Sequence, residues 1–383
     1  MPLFYLFARY FLCFLFIHLD KRRIFHENAS FFFFTLFSLI VFLLPLAALN
    51  PDKTENRSDT TVDKIVSSAV SQPIRQEEVL QSLPSSISQS TQNTLAALQV
   101  PQPEYFSILD RSTGQVEKVA VLDYLYGAVA AELPGFHLEA MKAQAVASHT
   151  YALYCQEHPS QDLGGADFSA DPSNWEGYVT REQMLERYPD LGETYWEKIK
   201  NAVDEVASTV LVYQEEPILA AYHSMSAGAT EFASNVWNGT VPYLIPVDSV
   251  GDTLADQFET SVTFASEQIK GILTEAYPDL TLSGDTRSWF QIISRSPSGY
   301  VLTLQAGNLQ ISGKDLRTLL GLRSTNFTIT AQTNSFLFTT KGYGHGVGLS
   351  QYGADYMARQ GSGYEEILLH YYTGTQLAQV VKG

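Results

Sequence analysis

Glu132 is the carboxylate best placed to do chemistry in this sequence, because it closes a short apolar helix and is followed at once by Leu133-Pro134-Gly135. A carboxylate at a helix C-terminus faces the negative end of the helix dipole. Its neighbours Ala130, Ala131 and Leu133 offer little solvation. Both effects raise a carboxyl pKa, and a carboxyl that keeps its proton near neutral pH is what general-acid catalysis needs. The competing reading is a helix-end glutamate pointing into water. Tyr124, Ala128 and Glu132 are spaced i, i+4 and i+8, so they share one helix face.

The elements that must position this group read as follows. Asp123 is a good N-cap for a helix ending near Glu132, and Pro134 with Gly135 stops that helix. A longer helix then runs from about His137 to Glu157. Further on, the apolar run Ile218–Ala221 leads into Tyr222-His223-Ser224-Met225-Ser226-Ala227-Gly228, a strand ending in a hydroxyl-rich turn. Ser224 and Ser226 alternate with period two and so point to one side. A Ser/His nucleophile pair is the rival reading, but no G-x-S-x-G elbow accompanies it.

Gly342, Gly344, Gly346 and Gly348 alternate with Tyr343, His345 and Val347. Glycines so spaced allow a backbone to approach a ligand closely or to take a strained turn. No Lys-Ser/Thr pair follows, so this is not a phosphate loop, and His345 alone is at best one metal ligand. Ser350 reads as the N-cap of a helix from Gln351 to Gln360, with Gly361 just past its end. Trp289–Ser294, Tyr300–Gln305 and Phe327–Thr330 alternate like strands, and Ser296-Pro297-Ser298-Gly299 makes a turn. Helices, then strands, then helices predict an α+β fold. In it a helical catalytic segment packs on an antiparallel sheet, and a strand-rich lobe at about residues 247–340 flanks a groove.

With 383 residues the chain has room for one large domain or two smaller ones. Phe31–Leu49 is an uncharged apolar run of 19 residues, roughly 28 Å as a helix and enough to span a bilayer. Lys21, Arg22 and Arg23 precede it and no comparable cluster follows. The positive-inside bias then places the rest of the chain outside the cytoplasm, at the cell membrane on a single anchor. A cleaved signal peptide is the rival for this region, with Ala47-Ala48-Leu49 only a loose cleavage site. Met1–Ile17 is apolar too, but short and interrupted by Arg9; it is either a second membrane segment or an extension from an early start codon. Residues 51–100 contain no aromatic and no glycine and are rich in Ser, Gln and Thr, the composition of an extracytoplasmic linker. Residues 101–383 form the remaining domain.

The balance of 41 Asp+Glu against 24 Lys+Arg disfavours nucleic acid as a partner. Cys13 and Cys155 lie in separate regions, so an internal disulfide is not expected.

Four ordered blocks resemble the stage II sporulation protein D family, whose domain is shared with amidase-enhancer proteins. They are AAELPGFHLEAMKAQAVASHTYA from Ala130, AYHSMSAGATEFASNVWNGTVPYL over Ala221–Leu244, GNLQISGKDLRTLLGLRSTNF over Gly307–Phe327, and GYGHGVGLSQYGADYMARQGSGYEEILLHYYTGTQL over Gly342–Leu377. The resemblance implies a peptidoglycan lytic transglycosylase. Such an enzyme cuts between N-acetylmuramic acid and N-acetylglucosamine in strands stripped of stem peptides, leaving 1,6-anhydro-muramoyl ends. The family's catalytic acid, the glutamate of (A/S)-E-(M/L)-P, lands on Glu132.

By the same resemblance, Lys142, Gln144 and Tyr151 fall on substrate-contacting positions of the long helix. His149 stands where the family usually has arginine, and histidine lacks that forked donor geometry and fixed charge. Tyr222, Ser224, Ser226, His345, Gln351 and Tyr352 are expected to line the glycan groove. Some family members carry a zinc-binding Cys/His cluster after the long helix. The matching stretch here, Asp167–Tyr178, has no Cys and no His, so no metal and no cofactor is expected.

The expected partners are glycan strands, a peptide-stripping amidase and a membrane scaffold of the engulfment machinery. A transglycosylase needs only one acid–base residue, because the substrate's own C6 hydroxyl is the nucleophile. A hydrolase would need a second carboxylate, and none stands out; Glu139 belongs to the next helix. Two rivals remain: a non-catalytic wall-binding protein that recruits or stimulates an amidase, and a metal-dependent amidase, for which no clustered ligand set exists.

Overall fold

A computed structural model describes residues 98–382 apart from residue 238. The apolar run at 31–49 and most of the linker therefore lie outside the described residues. Among the described residues no helix is long and apolar enough to cross a membrane.

The domain opens with strands, which the sequence pattern did not reveal. β1 (Gln99–Gln102) precedes a hairpin of β2 (Tyr105–Asp110) and β3 (Gln115–Ala120). α1 (Val121–Glu132) follows without a break, and α2 (Leu138–Glu157) runs through the centre of the main core. Asp123 is not the N-cap of α1; Ala120 holds that position without a side-chain bond, and Asp123 sits in the first turn. His137 caps α2 by accepting from the Glu139 amide.

Alanines recur on all sides of α2, and Ala140, Ala143, Ala145, Ala147 and Ala152 are all buried. Small side chains let the helix touch neighbours all round. Those neighbours are α1, α4 (Gly192–Val206), α8 (Gln351–Arg359), α9 (Tyr364–Tyr371) and β5 (Thr209–Tyr213). β4 (Phe168–Ala170) joins β2 in parallel, and α3 (Arg181–Arg187) precedes α4 with a capping box on Thr180. The sheet beneath α2 has the order β1-β15-β5-β6, with β6 at Glu216–Pro217 and β15 at Gln376–Lys382. It is antiparallel across β15, β5 and β6, while β1 adds in parallel.

Two short strands, β7 (Tyr222–His223) and β14 (Leu349–Ser350), pair in parallel beside this core. α5 (Ala233–Val236) is a single turn. A second cluster of buried side chains, including Ile269, Leu304, Leu316, Phe327, Phe336 and Phe338, is built by later strands and helices. β8 (Glu259–Ala265), β13 (Ser335–Lys341) and β12 (Phe327–Ala331) form one antiparallel sheet. β9 (Phe290–Arg295), β10 (Val301–Ala306) and β11 (Leu309–Ser312) form another. α6 (Ser266–Ala276) and α7 (Gly313–Leu320) pack with them. The three strands expected here fall within one residue of β9, β10 and β12, because their alternating pattern is strong. The chain is thus α+β.

A polar seam joins the two clusters. Tyr300 Oη accepts from the Ala227 amide at 3.1 Å, Ser298 Oγ donates to Thr230 O at 2.7 Å, and Ser296 Oγ donates to the buried Glu231 carboxylate.

Candidate active site

Glu132 is the last residue of α1, and the break that follows is held from outside. Gly135 takes φ +96°, Lys198 Nζ from α4 donates to Phe136 O, and Asp355 from α8 accepts the His137 amide at 2.6 Å. The side chain of Glu132 is half-buried. Its Oε2 accepts from Gln351 Nε2 at 2.7 Å, and the same Gln351 nitrogen lies 3.4 Å from Gln144 Oε1. Gln144 in turn donates to Ser148 Oγ at 3.1 Å. A relay of amides thus runs from the centre of α2 to the catalytic candidate.

Gln351 is set by the start of α8. Ser350 caps this helix, accepting from the Gly353 amide, and donates to Asp252 Oδ1 at 2.6 Å. Asp252 is fully buried (0 % exposed) and also accepts from Ser226 N and Ser226 Oγ at 2.7 and 2.6 Å. Burial raises its pKa, opposed by these hydroxyl and amide donors. Sequence reasoning missed Asp252, since an aspartate in a polar loop has no local signature of burial.

Two phenols face the site. Burial, with the charge of Glu132 contributing, raises the pKa of both Tyr222 and Tyr124, so both keep their protons. Tyr352 is half-buried and meets Phe136 edge to face at 5.2 Å. Ser224 is half-buried and its carbonyl accepts the Tyr352 amide at 3.1 Å. Glu132, Gln144, Tyr222, Gln351 and Tyr352 are therefore brought together.

Other expected contacts are used elsewhere. Lys142 Nζ bridges Glu139 at 2.8 Å and Glu205 at 2.5 Å, tying α2 to α4. Ser226 is committed to Asp252. His149, 1 % exposed, packs edge-on against Phe106, and burial pushes its pKa down to about 4. It is a neutral core histidine in the place of a groove residue. Tyr151 is enclosed with Cys155 and Tyr222 nearby. His345 is buried too, its ring tilted against Trp237 at 5.0 Å and 5.5 Å from that of His223, with Nδ1 accepting the Val347 amide. The glycine loop owes its composition to the protein itself. A Cβ at Gly348 would lie 2.1 Å from Ala221 O, and one at Gly346 2.4 Å from Tyr300 Oη.

Among the described residues no group of three or more His, Cys, Asp or Glu is placed to hold a metal ion. Burial pushes the Cys155 thiol up to about 12, which leaves it unreactive.

These features define an α+β protein organised around a helix-end glutamate clamped by a glutamine. A family model described as Stage II sporulation protein matches residues 110–213, the segment that carries Glu132 and Gln144. Stage II sporulation protein D of Bacillus amyloliquefaciens is 34% identical over 272 residues, 70% of this chain and 77% of that protein. Stage II sporulation protein D of Bacillus subtilis (strain 168) is 32% identical over 75% of this chain and 81% of its own. The amidase enhancer of the same organism is 28% identical over 66% of this chain and 40% of its own. The chain belongs to the stage II sporulation protein D family.

Proposed function

We propose that this protein is a membrane-anchored lytic transglycosylase acting on peptide-stripped peptidoglycan during sporulation, with Glu132 as acid and then base. It would work at the cell membrane, its domain outside the cytoplasm, beside an amidase that removes the stem peptides. The observation that carries this reading is the 2.7 Å bond from Gln351 Nε2 to Glu132 Oε2, which fixes a carboxyl at the mouth of the α1–α2 break.

In the reaction Glu132 protonates the glycosidic oxygen as the bond from the muramoyl C1 breaks. The carboxylate so formed then takes the proton from the muramoyl C6 hydroxyl as that oxygen attacks C1. Bond order and protons balance without water, and acid–base catalysis of this kind contributes roughly 10²–10⁴-fold. The substrate's N-acetyl group helps to stabilise the oxocarbenium-like state.

The engagement of the carboxylates of Glu139, Asp252 and Glu231 supports a one-carboxylate mechanism. Glu139 holds Lys142 with one oxygen and the Tyr364 amide with the other. Asp252 is enclosed by Ser226 and Ser350, and Glu231 by Phe232 N, Asn235 and Ser296. A two-carboxylate hydrolase needs a second group open to water or substrate.

Similarity to an amidase enhancer favours one alternative, a wall-binding protein that stimulates an amidase without cutting glycan. Incubation of the full chain with peptide-free strands separates the two. Soluble fragments with wild type and none with Glu132→Gln are the expected outcome. Strand binding without release, together with faster peptide removal by an added amidase, would replace this reading with the alternative.

A further inference from the structure

Arg323, like Arg187 over Trp175, lies against an aromatic ring, but Arg187 is exposed and Arg323 is half-buried. Arg111, Arg181, Arg287 and Arg359 each pair with a carboxylate, and Arg295 is spent on the carbonyls of Gly299 and Phe327. Arg323 is half-buried, and among the described residues no carboxylate pairs with it. Its guanidinium lies 4.5 Å above the Tyr343 ring and makes one side-chain hydrogen bond, from Nη1 to the Gln257 amide oxygen at 3.1 Å. Nε is enclosed without an acceptor.

A half-buried guanidinium loses hydration, and a neutral amide and a ring face replace only part of it. Burial holds its pKa below the usual arginine range, the direction expected of a cation short of a counter-charge. The chain as a whole carries −17, so an uncompensated arginine is not left over from an excess of basic residues.

Its position gives it a use. Tyr343 bridges to Met225 and the Arg323 carbonyl accepts the Gly344 amide, so the arginine is fixed to the glycine loop beside Ser224. Arg323 also lies close enough to Tyr352 to interact with it electrostatically. Tyr352 follows Gln351, which holds Glu132, and packs on Phe136 just past the α1 break. Gln351 thus links Glu132 to the start of the helix that carries Tyr352, and Tyr352, Tyr343 and Arg323 are all half-buried.

We propose that Arg323 binds the free lactoyl carboxylate of a muramoyl residue next to the scissile bond, and so selects strands from which the stem peptide has been removed. The inference rests on the transglycosylase reading. An intact stem converts that carboxylate into an amide, which removes the charge and adds bulk. A guanidinium presents a planar fork matched to a carboxylate, and ring stacking holds that fork in place beforehand.

The test measures glycan affinity by calorimetry with the full-length chain in mild detergent, carrying Glu132→Gln to stop cleavage. The probes are a peptide-free muramoyl–glucosaminyl tetrasaccharide, the same sugar with its carboxylates converted to methylamides, and chitotetraose, which has no lactoyl group. A preference of roughly ten- to a hundredfold for the free carboxylate over the methylamide is expected, the range for a charge-assisted hydrogen bond. Arg323→Gln should bring that ratio close to one, and Arg323→Lys should restore part of it. An unchanged ratio in Arg323→Gln would overturn the proposal while leaving the glycan reading intact. Equal loss of all three sugars would overturn it too, by making the arginine a scaffold of the groove. Absence of binding to any of them in the parent chain would remove the transglycosylase reading and this inference together.

Discussion

Gln351 Nε2 donates to Glu132 Oε2 across 2.7 Å, joining residues 219 positions apart in the chain. The contact is made between two helix ends. Glu132 is the last residue of α1 and Gln351 the first of α8, so each side chain projects from a backbone fixed by its own helix. The Asp355 bond to the His137 amide adds a second tie between α8 and the α1–α2 break. Position here comes from packed helices rather than from a mobile loop, which suits a group that must meet one oxygen of a polymer.

Gln351→Leu removes the donor and keeps similar volume. Steady-state cleavage of peptide-free strands should show kcat lower by about ten- to a hundredfold with KM little changed, the signature of an interaction that orients the acid. An unaltered kcat in a variant that melts normally would mean that the contact is incidental.

Asp252 anchors the cap on which Gln351 depends. Asp252→Ala would leave Ser226 N and Ser226 Oγ without an acceptor, and Ser350 Oγ with only its long 3.4 Å contact to Ser224 O. Each unsatisfied buried group costs about 1–3 kcal/mol. The variant should therefore lose at least about 2 kcal/mol in urea unfolding, and Asp252→Asn less, since its amide oxygen still accepts.

The legible part of this design was the local part. Pro134-Gly135 marks the break after Glu132, and Ser350 marks the helix that Gln351 begins; both signals lie within a few residues. The alternating strands β9, β10 and β12 were readable for the same reason. The commitments of Lys142 to Glu205, Ser226 to Asp252 and Ser350 to Asp252 were not readable, because each partner lies far along the chain. His149 carried no mark of burial, as nothing in an alanine-rich helix says which side faces the sheet. Arg323 lay inside a matching block, yet that no carboxylate pairs with it among the described residues is visible only in three dimensions.

The glycine loop predicts a contrast between two alanine substitutions. Gly348 has φ +72° and a Cβ there would sit 2.1 Å from the Ala221 carbonyl, a backbone atom that cannot give way. Gly361 has φ +102° with nothing within 4 Å of its Cβ. Gly361→Ala should cost only the backbone term, about 1–2 kcal/mol. Gly348→Ala should add an overpacking cost of about 1–3 kcal/mol and melt well below it. Equal melting temperatures would contradict the close approach of the loop to Ala221.

Burial of His149 makes stability depend on pH. Its folded pKa of about 4 lies below its unfolded value of about 6.5. Between these values the unfolded state binds the extra proton, so stability is full above about pH 6.5 and is lost as pH falls towards 4. Complete loss for this one group is about 3 kcal/mol. Burial also holds the His223 pKa well down, so that group adds to the loss in the same direction. Urea unfolding at pH 7 and pH 5 should show the decline, and His149→Phe should flatten it. A slope unchanged in that variant would place the acid sensitivity elsewhere.

The central claim is that Glu132 cuts glycan strands by internal transfer to C6. Mass spectrometry of the ends released from peptide-free strands tests it most directly. The account predicts muramoyl ends one water lighter than a reducing sugar, formed by wild type and absent with Glu132→Gln. Ordinary reducing ends, or the same products from the variant, would contradict it.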